Sequence, residues 1–81
     1  YNPGLTDSGV VTLARAFPST LTELGLVGCA IGDEGGAALL RWSKQANELR
    51  MICVEGNNLS SSIRLAFKAL AQERPSLLIV V

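Results

Sequence analysis

The side chains that could carry nucleophilic or metal chemistry are few in this sequence of 81 residues. There are two cysteines, Cys29 and Cys53, and no histidine. Without histidine the chain lacks the usual general base, pH sensor and neutral metal ligand, so neither a Cys–His dyad nor a Ser–His–Asp triad can form within it. We therefore expect a protein that is not an enzyme and that uses no cofactor or metal.

Two further motifs look like chemical sites but have simpler structural explanations. The segment from Gly25 to Gly32 joins a predicted strand to a predicted helix, yet it fits neither the dinucleotide-binding glycine pattern nor the P-loop pattern. The adjacent acids Asp33 and Glu34 point apart on a helix, where they favour the positive end of the helix dipole. The sequence therefore predicts no nucleotide site and no metal site.

The cysteine positions predict free thiols. Cys29 lies in a predicted turn, and Cys53 lies in the next predicted strand, four residues out of step within its repeat. Strand spacing and rise then separate the two by roughly 13 Å, which exceeds the ~7 Å that a disulfide spans between Cα atoms. Free thiols favour the cytoplasm or another reducing compartment.

Charge and hydropathy exclude two classes of partner. Seven basic residues balance seven acidic ones, so no net field attracts nucleic acid or anionic lipid. The longest uncharged apolar run, residues 77–81, is too short to span a bilayer. The apolar fraction of 48% is enough to build the core of a single domain.

The elements that position these residues follow a fixed spacing. Leu21, Leu49 and Leu77 lie 28 residues apart and open similar apolar segments. A constant period of this length is typical of a solenoid built from stacked units. Each unit is predicted to contain a short alternating strand, a turn and a helix, with all strands parallel.

Within this stack, we expect Leu24, Ile52 and Val80 to lie side by side in one interior. The helices are predicted after Thr6 as N-cap, over about 33–44, and after Ser60 as N-cap. Their inward side chains are predicted to be Val10, Leu13, Ala14, Phe17, Ala38, Leu39, Trp42, Ile63, Phe67 and Leu70.

Asparagines occupy equivalent turns in the repeat. Asn2 and Asn57 fall in register with Cys29. A buried amide supplies both a donor and an acceptor, so we expect Asn57 to hydrogen-bond the neighbouring turn, and Cys29 to bond more weakly.

The pattern L-x-x-L-x-L-x-x-(N/C)-x-(I/L), followed by a helix, resembles the leucine-rich repeat. The stretch from Gly32 to Leu39 is similar to that of the ribonuclease-inhibitor-like subclass, although Ser60-Ser61-Ser62 departs from it. The resemblance implies an α/β fold, a right-handed superhelix with a concave parallel sheet and convex helices. It also implies that the concave face binds another protein. The predicted partner-binding residues on that face are Glu23, Val27, Met51, Cys53, Glu55, Ile79 and Val81.

The apolar part of this face is either a contact surface or local packing near the end of the array. The leading hypothesis is a non-enzymatic protein-interaction module. The alternatives are a regulatory accessory, such as a GTPase-activating or effector protein whose active region lies upstream, and a structural carboxy-terminal cap.

The phase of the repeat leads to one prediction about assembly. Residues 1–81 correspond to about two and a half repeats, so we expect the carboxy-terminal end of a longer array. The strand at Leu21 would then be an open edge. We expect association through that edge, either with a second copy or with an amino-terminal chain.

Overall fold

The computed structural model describes residues 7–81. Three helices alternate with three strands in the order α1 (Asp7–Ala16), β1 (Glu23–Gly25), α2 (Asp33–Gln45), β2 (Met51–Cys53), α3 (Ser61–Glu73) and β3 (Leu78–Val80). The predicted turn residue Asn2 and the predicted N-cap Thr6 lie outside the described residues. Alternation of strand and helix is the arrangement that the repeat predicts.

The helix starts have identifiable causes. Gly32 is the N-cap of α2 in an extended conformation, and Asp33 and Glu34 occupy the first turn, where acidic side chains favour the helix dipole. Ser60 caps α3 because its hydroxyl oxygen accepts the Ile63 N–H at 3.4 Å. Both predicted helix starts are therefore confirmed.

The three strands form one parallel sheet in the order β1-β2-β3. Glu23, Leu24 and Gly25 pair with residues 51, 52 and 53. Those residues pair in turn with residues 78, 79 and 80. The row that faces the interior therefore consists of Leu24, Ile52 and Ile79.

The predicted place of Val80 in this inner row is wrong. Leu49 and Leu77 occupy equivalent turns, since their N–H groups bond to the Ala46 and Arg74 carbonyls at 3.1 and 2.9 Å. A residue, Arg50, separates Leu49 from β2, whereas β3 begins directly after Leu77. The third segment is thus one residue shorter, and a one-residue slip moves every strand side chain to the opposite face.

The core lies between the sheet and the helices. Ile31, Leu39, Ile52 and Phe67 have no exposed surface, and Ile79 and Val81 pack against the same cluster. One predicted core residue departs from this pattern, because Leu13 in α1 is 39% exposed. It lies at the margin of the helical stripe that Val10, Ala14 and Phe17 form against the core.

Candidate functional site

The side of the sheet opposite the helices presents the alternate side chains of all three strands. In β2, buried Ile52 lies between the half-buried side chains of Met51 and Cys53. Val27 and Glu55 continue this alternation just beyond β1 and β2, where Leu26 and Gly28 donate to the Cys53 and Glu55 carbonyls. We call this surface the strand face, and its members are Glu23, Gly25, Val27, Met51, Cys53, Glu55, Leu78 and Val80.

The centre of the strand face is apolar and accessible. The Leu78 side chain is 61% exposed and lies beside Met51 in the register of the sheet. Val80 lies beside Cys53 in the same way, and Val27 is 44% exposed. Contiguous patches of exposed apolar side chains are uncommon on monomeric proteins. Such patches mark interaction sites more often than single exposed apolar side chains do.

Two carboxylates lie at opposite ends of this apolar patch. Glu23 is beside Met51 at the start of the strands, whereas Glu55 follows the end of β2, and both are exposed. Strand geometry places their Cα atoms roughly 14 Å apart. The strand face contains no lysine or arginine. It therefore suits a partner that combines apolar side chains with basic ones.

The structure brings five of the seven predicted partner-binding residues onto the strand face: Glu23, Val27, Met51, Cys53 and Glu55. The predicted outward orientation of Ile79 and Val81 is wrong, because both pack against the core. Leu78 and Val80 take the outward positions instead. The available signal was the absence, after Leu77, of a polar residue equivalent to Thr22 or Arg50.

The Asn57 amide fixes the turns that follow β1 and β2. Its Oδ1 accepts the N–H groups of Cys29 at 2.8 Å and Ile31 at 3.1 Å. Its Nδ2 donates to the carbonyls of Leu26 at 2.6 Å and Val54 at 2.9 Å. The predicted role of Asn57 is confirmed, since one buried side chain satisfies four backbone groups across two units. The predicted weaker partner, Cys29 Sγ, lies 3.5 Å from the Val27 carbonyl.

Glycines allow the same two turns to stack closely. Gly28 and Gly56 have positive φ angles of 65° and 76°. A Cβ atom at Gly56 would also lie 3.4 Å from the Gly28 nitrogen. The φ angles favour glycine because an L side chain at such an angle meets its own backbone, whereas the 3.4 Å spacing is an ordinary van der Waals contact. Ala30 adopts a φ of 58° in the first turn without that freedom.

Arg74 links the end of α3 to the end of α2. Its guanidinium donates to the carbonyls of Ser43 at 2.6 Å, Ala46 at 2.8 Å and Leu49 at 3.3 Å. Carbonyls at a helix end lack partners within the helix, so the fork-shaped cation supplies the missing donors. Sequence reasoning missed this contact because Arg74 appears there only as a loop residue.

The acid at the start of α2 forms a similar link at the other end of the helices. Asp33 Oδ1 accepts the Ser60 backbone N–H at 2.8 Å. This backbone hydrogen bond, with a smaller contribution from the Ser60 side chain, lowers the pKa of the Asp33 carboxyl. Asp33 is therefore a structural link between units.

Reactive groups are not gathered into a site in the part of the chain that the structure describes. Both cysteines are free thiols, as predicted, with Cys29 buried and Cys53 half-buried. Residues 7–81 contain no group of three or more histidine, cysteine or acidic side chains that could hold a metal ion. None of the three described helices is both long and apolar enough to cross a membrane.

Comparison with known protein families finds a match within this chain. Residues 17–40, which begin just after α1 and run through β1 into α2, match the family model of the leucine-rich repeat. No curated protein matches the chain. The matched segment contains one strand, its turn and the first half of a helix. Together with the parallel three-stranded sheet and its alternating helices, the match supports a leucine-rich repeat protein.

Proposed function

We propose that this chain is a non-enzymatic protein-interaction module that binds its partner through the strand face. The leucine-rich repeat match supports a role in protein–protein interaction. The 28-residue spacing of Leu21 and Leu49 and the full 13-residue helices α2 and α3 support the ribonuclease-inhibitor-like subclass. The usual right-handedness of parallel strand–helix–strand connections supports our proposal that the units form a right-handed superhelix.

The observation that carries this proposal is the exposure of Leu78 beside Met51. Leu78 is 61% exposed at the start of the edge strand β3, directly beside Met51 of the central strand. An apolar contact centre surrounded by charge is the common anatomy of a protein interface. Here the charge is negative, from Glu23 and Glu55.

The partner that fits this surface is a protein segment with apolar side chains between two basic ones. Apolar side chains would cover Met51, Leu78 and Val80, while lysine or arginine at either end would pair with the two carboxylates. Such rim charges contribute mainly to specificity and to the rate of association.

A displayed library of random peptides tests the proposal, with the full chain as bait. The selected peptides are expected to share an apolar centre with flanking lysine or arginine. Binding should be lost in Leu78→Lys and should weaken in a Glu23→Gln, Glu55→Gln double variant. The matched control is Leu65→Lys on α3, where the side chain is 63% exposed and lies away from the strand face.

The outcomes separate the two main readings. Lost binding in Leu78→Lys with an unchanged melting temperature supports the interaction module. Lost binding together with a clearly lower melting temperature would instead support a structural cap. Peptides that bind Leu78→Lys as well as they bind the parent protein would contradict the proposal.

Several related expectations stay predictions. These are the position of the chain at the carboxy-terminal end of a longer array, a cytoplasmic location, and association through the β1 edge. The regulatory alternative, such as GTPase activation, would depend on residues outside this chain.

A further inference from the structure

A groove between α1 and α2 lies away from the strand face and has no assigned role. It encloses about 380 Å³. Small-molecule sites in proteins commonly have volumes of roughly 300–1,000 Å³. The groove is lined by side chains of α1, α2 and the segment after α1, including Arg15, Phe17, Arg41 and Trp42. The interaction proposed above does not use this surface.

Two aromatic rings form an apolar wall of the groove. Phe17 and Trp42 meet edge to face, with their ring centroids 5.2 Å apart and their planes at 64°. Trp42 is only 9% exposed, so its ring is held by the surrounding core. Fixed aromatic surfaces favour contact with another planar ring.

The charged side chains that line the groove are both cationic. Arg15 comes from α1 and Arg41 from α2, and each is exposed. Among the described side chains that line the groove there is no aspartate or glutamate, although acidic and basic residues balance over the whole chain. Two guanidinium groups that line one groove create a local positive potential that favours an anion.

The indole of Trp42 provides a second, independent observation. Its Nε1 atom is buried and has no hydrogen-bond acceptor within the described part of the chain. A buried donor without an acceptor costs free energy, and native proteins contain few of them. Other atoms of Trp42 line the groove, so a small rotation of the indole would bring this donor to an acceptor bound there.

We propose that the groove between α1 and α2 binds a small planar anion, an aromatic ring that carries one carboxylate or sulfonate group. The ring lies against Phe17 and Trp42, and the anionic group lies between Arg15 and Arg41. This inference does not depend on the function proposed for the strand face, because the two surfaces share no residue.

The test uses 2-naphthoate as the probe and its neutral amide, 2-naphthamide, as the matched control. Trp42 is the only tryptophan, so it gives a single indole N–H signal in a nitrogen–proton NMR spectrum. Naphthoate is expected to shift that signal saturably, and naphthamide is expected to bind at least about fivefold more weakly. Equal binding of the acid and the amide, or no saturable shift at millimolar naphthoate, would overturn the proposal.

Charge-neutralising variants locate the site. Arg15→Gln and Arg41→Gln are each expected to weaken naphthoate binding by at least about threefold. Lys44→Gln is the control, because Lys44 is an exposed cation on α2 that does not line the groove. A loss in Lys44→Gln as large as in Arg41→Gln would show non-specific attraction and would also overturn the assignment.

Discussion

The Asn57 side chain and the Cys29 backbone are joined across 28 residues, with Oδ1 accepting the Cys29 N–H at 2.8 Å. The same oxygen accepts the Ile31 N–H, and Nδ2 donates to the Leu26 carbonyl. One amide therefore takes the place of strand pairing where the two chain segments leave the sheet. The turn at Gly28 depends on a residue of the following unit.

Replacing this amide should be costly. Asn57→Ala leaves buried N–H and C=O groups without partners, so we expect a loss of about 2–4 kcal/mol in the free energy of unfolding. Chemical denaturation followed by circular dichroism measures it. Asn58→Ala is the control, because Asn58 is exposed, and it should change stability by less than about 0.5 kcal/mol. Equal effects of the two substitutions would contradict the assigned role.

The Arg74 contact should depend on the shape of the guanidinium. Arg74→Lys keeps the charge but cannot serve three carbonyls with a planar fork, so we expect a loss of about 1–2 kcal/mol. Arg64→Lys, at an exposed position of α3, should be neutral. Amide hydrogen exchange provides a sharper check: protection at the end of α2 should fall in Arg74→Lys and stay unchanged in Arg64→Lys.

Backbone angles in the turns predict changes of opposite sign. Gly56 has a φ of 76°, so Gly56→Ala should destabilise the protein by about 1–2 kcal/mol. Ala30 has a φ of 58°, so Ala30→Gly should stabilise it by about 0.5–1 kcal/mol. Gly25→Ala is the reference, since a Cβ there would have no atom within 4 Å. Melting temperatures that move in the same direction for the first two variants would argue against these turn conformations.

The register of β3 can be tested with two neighbouring residues. Ile79 packs against the core, so Ile79→Lys should lower stability by more than about 2 kcal/mol. Leu78 is 61% exposed, so Leu78→Lys should leave the melting temperature nearly unchanged. A large loss of stability in Leu78→Lys and a small one in Ile79→Lys would instead support the register predicted from the sequence, with Val80 beside Ile52.

The Asp33 carboxylate predicts a pH dependence of stability. The Ser60 N–H lowers the pKa of Asp33 in the folded protein below its usual value of 3.8. The ionised form is therefore favoured by folding, and its contribution is complete above the unfolded pKa and is lost as the pH falls through the folded pKa. Asp33→Asn should thus be less stable than the parent at neutral pH, and the difference should shrink in acid.

Thermal melts of the parent and the variant between neutral pH and pH of about 2 would measure this difference. Glu34→Gln is the control, because it removes a charge from the same helical turn. A difference between parent and Asp33→Asn that stays constant over this range would show that the hydrogen bond does not depend on ionisation.

The sequence predicts the fold where its signals are local or periodic. The spacing of Leu21 and Leu49 predicts the strand pairing of Leu24 with Ile52, and the hydroxyl of Ser60 predicts the start of α3. The role of Asn57 is predictable because a buried amide at a turn can both donate to and accept from the neighbouring backbone. The predicted register of β3 is wrong because the 28-residue period does not hold in the third segment, which has one residue fewer between its turn and its strand.

The remaining contacts could not be predicted from the sequence, because no motif or spacing relates the residues that they join. Nothing in the sequence pairs Arg74 with Ser43, since a loop arginine has many possible partners. The groove at Trp42 depends on the angle between α1 and α2, which hydrophobic periodicity does not determine. The apolar centre of the strand face was predicted in outline, but two of its residues follow from the register alone.

Asn57, Arg74 and Ser60 each form hydrogen bonds to residues of the preceding unit. In each case a group from a later unit completes the backbone or carboxylate of an earlier one, over 25–31 residues. Removing the carboxy-terminal elements would therefore also destabilise the units before them. Deletion of α3 together with Arg74, for example, would leave the carbonyls at the end of α2 without these donors. The stability of each earlier unit therefore depends on hydrogen bonds from the unit that follows it.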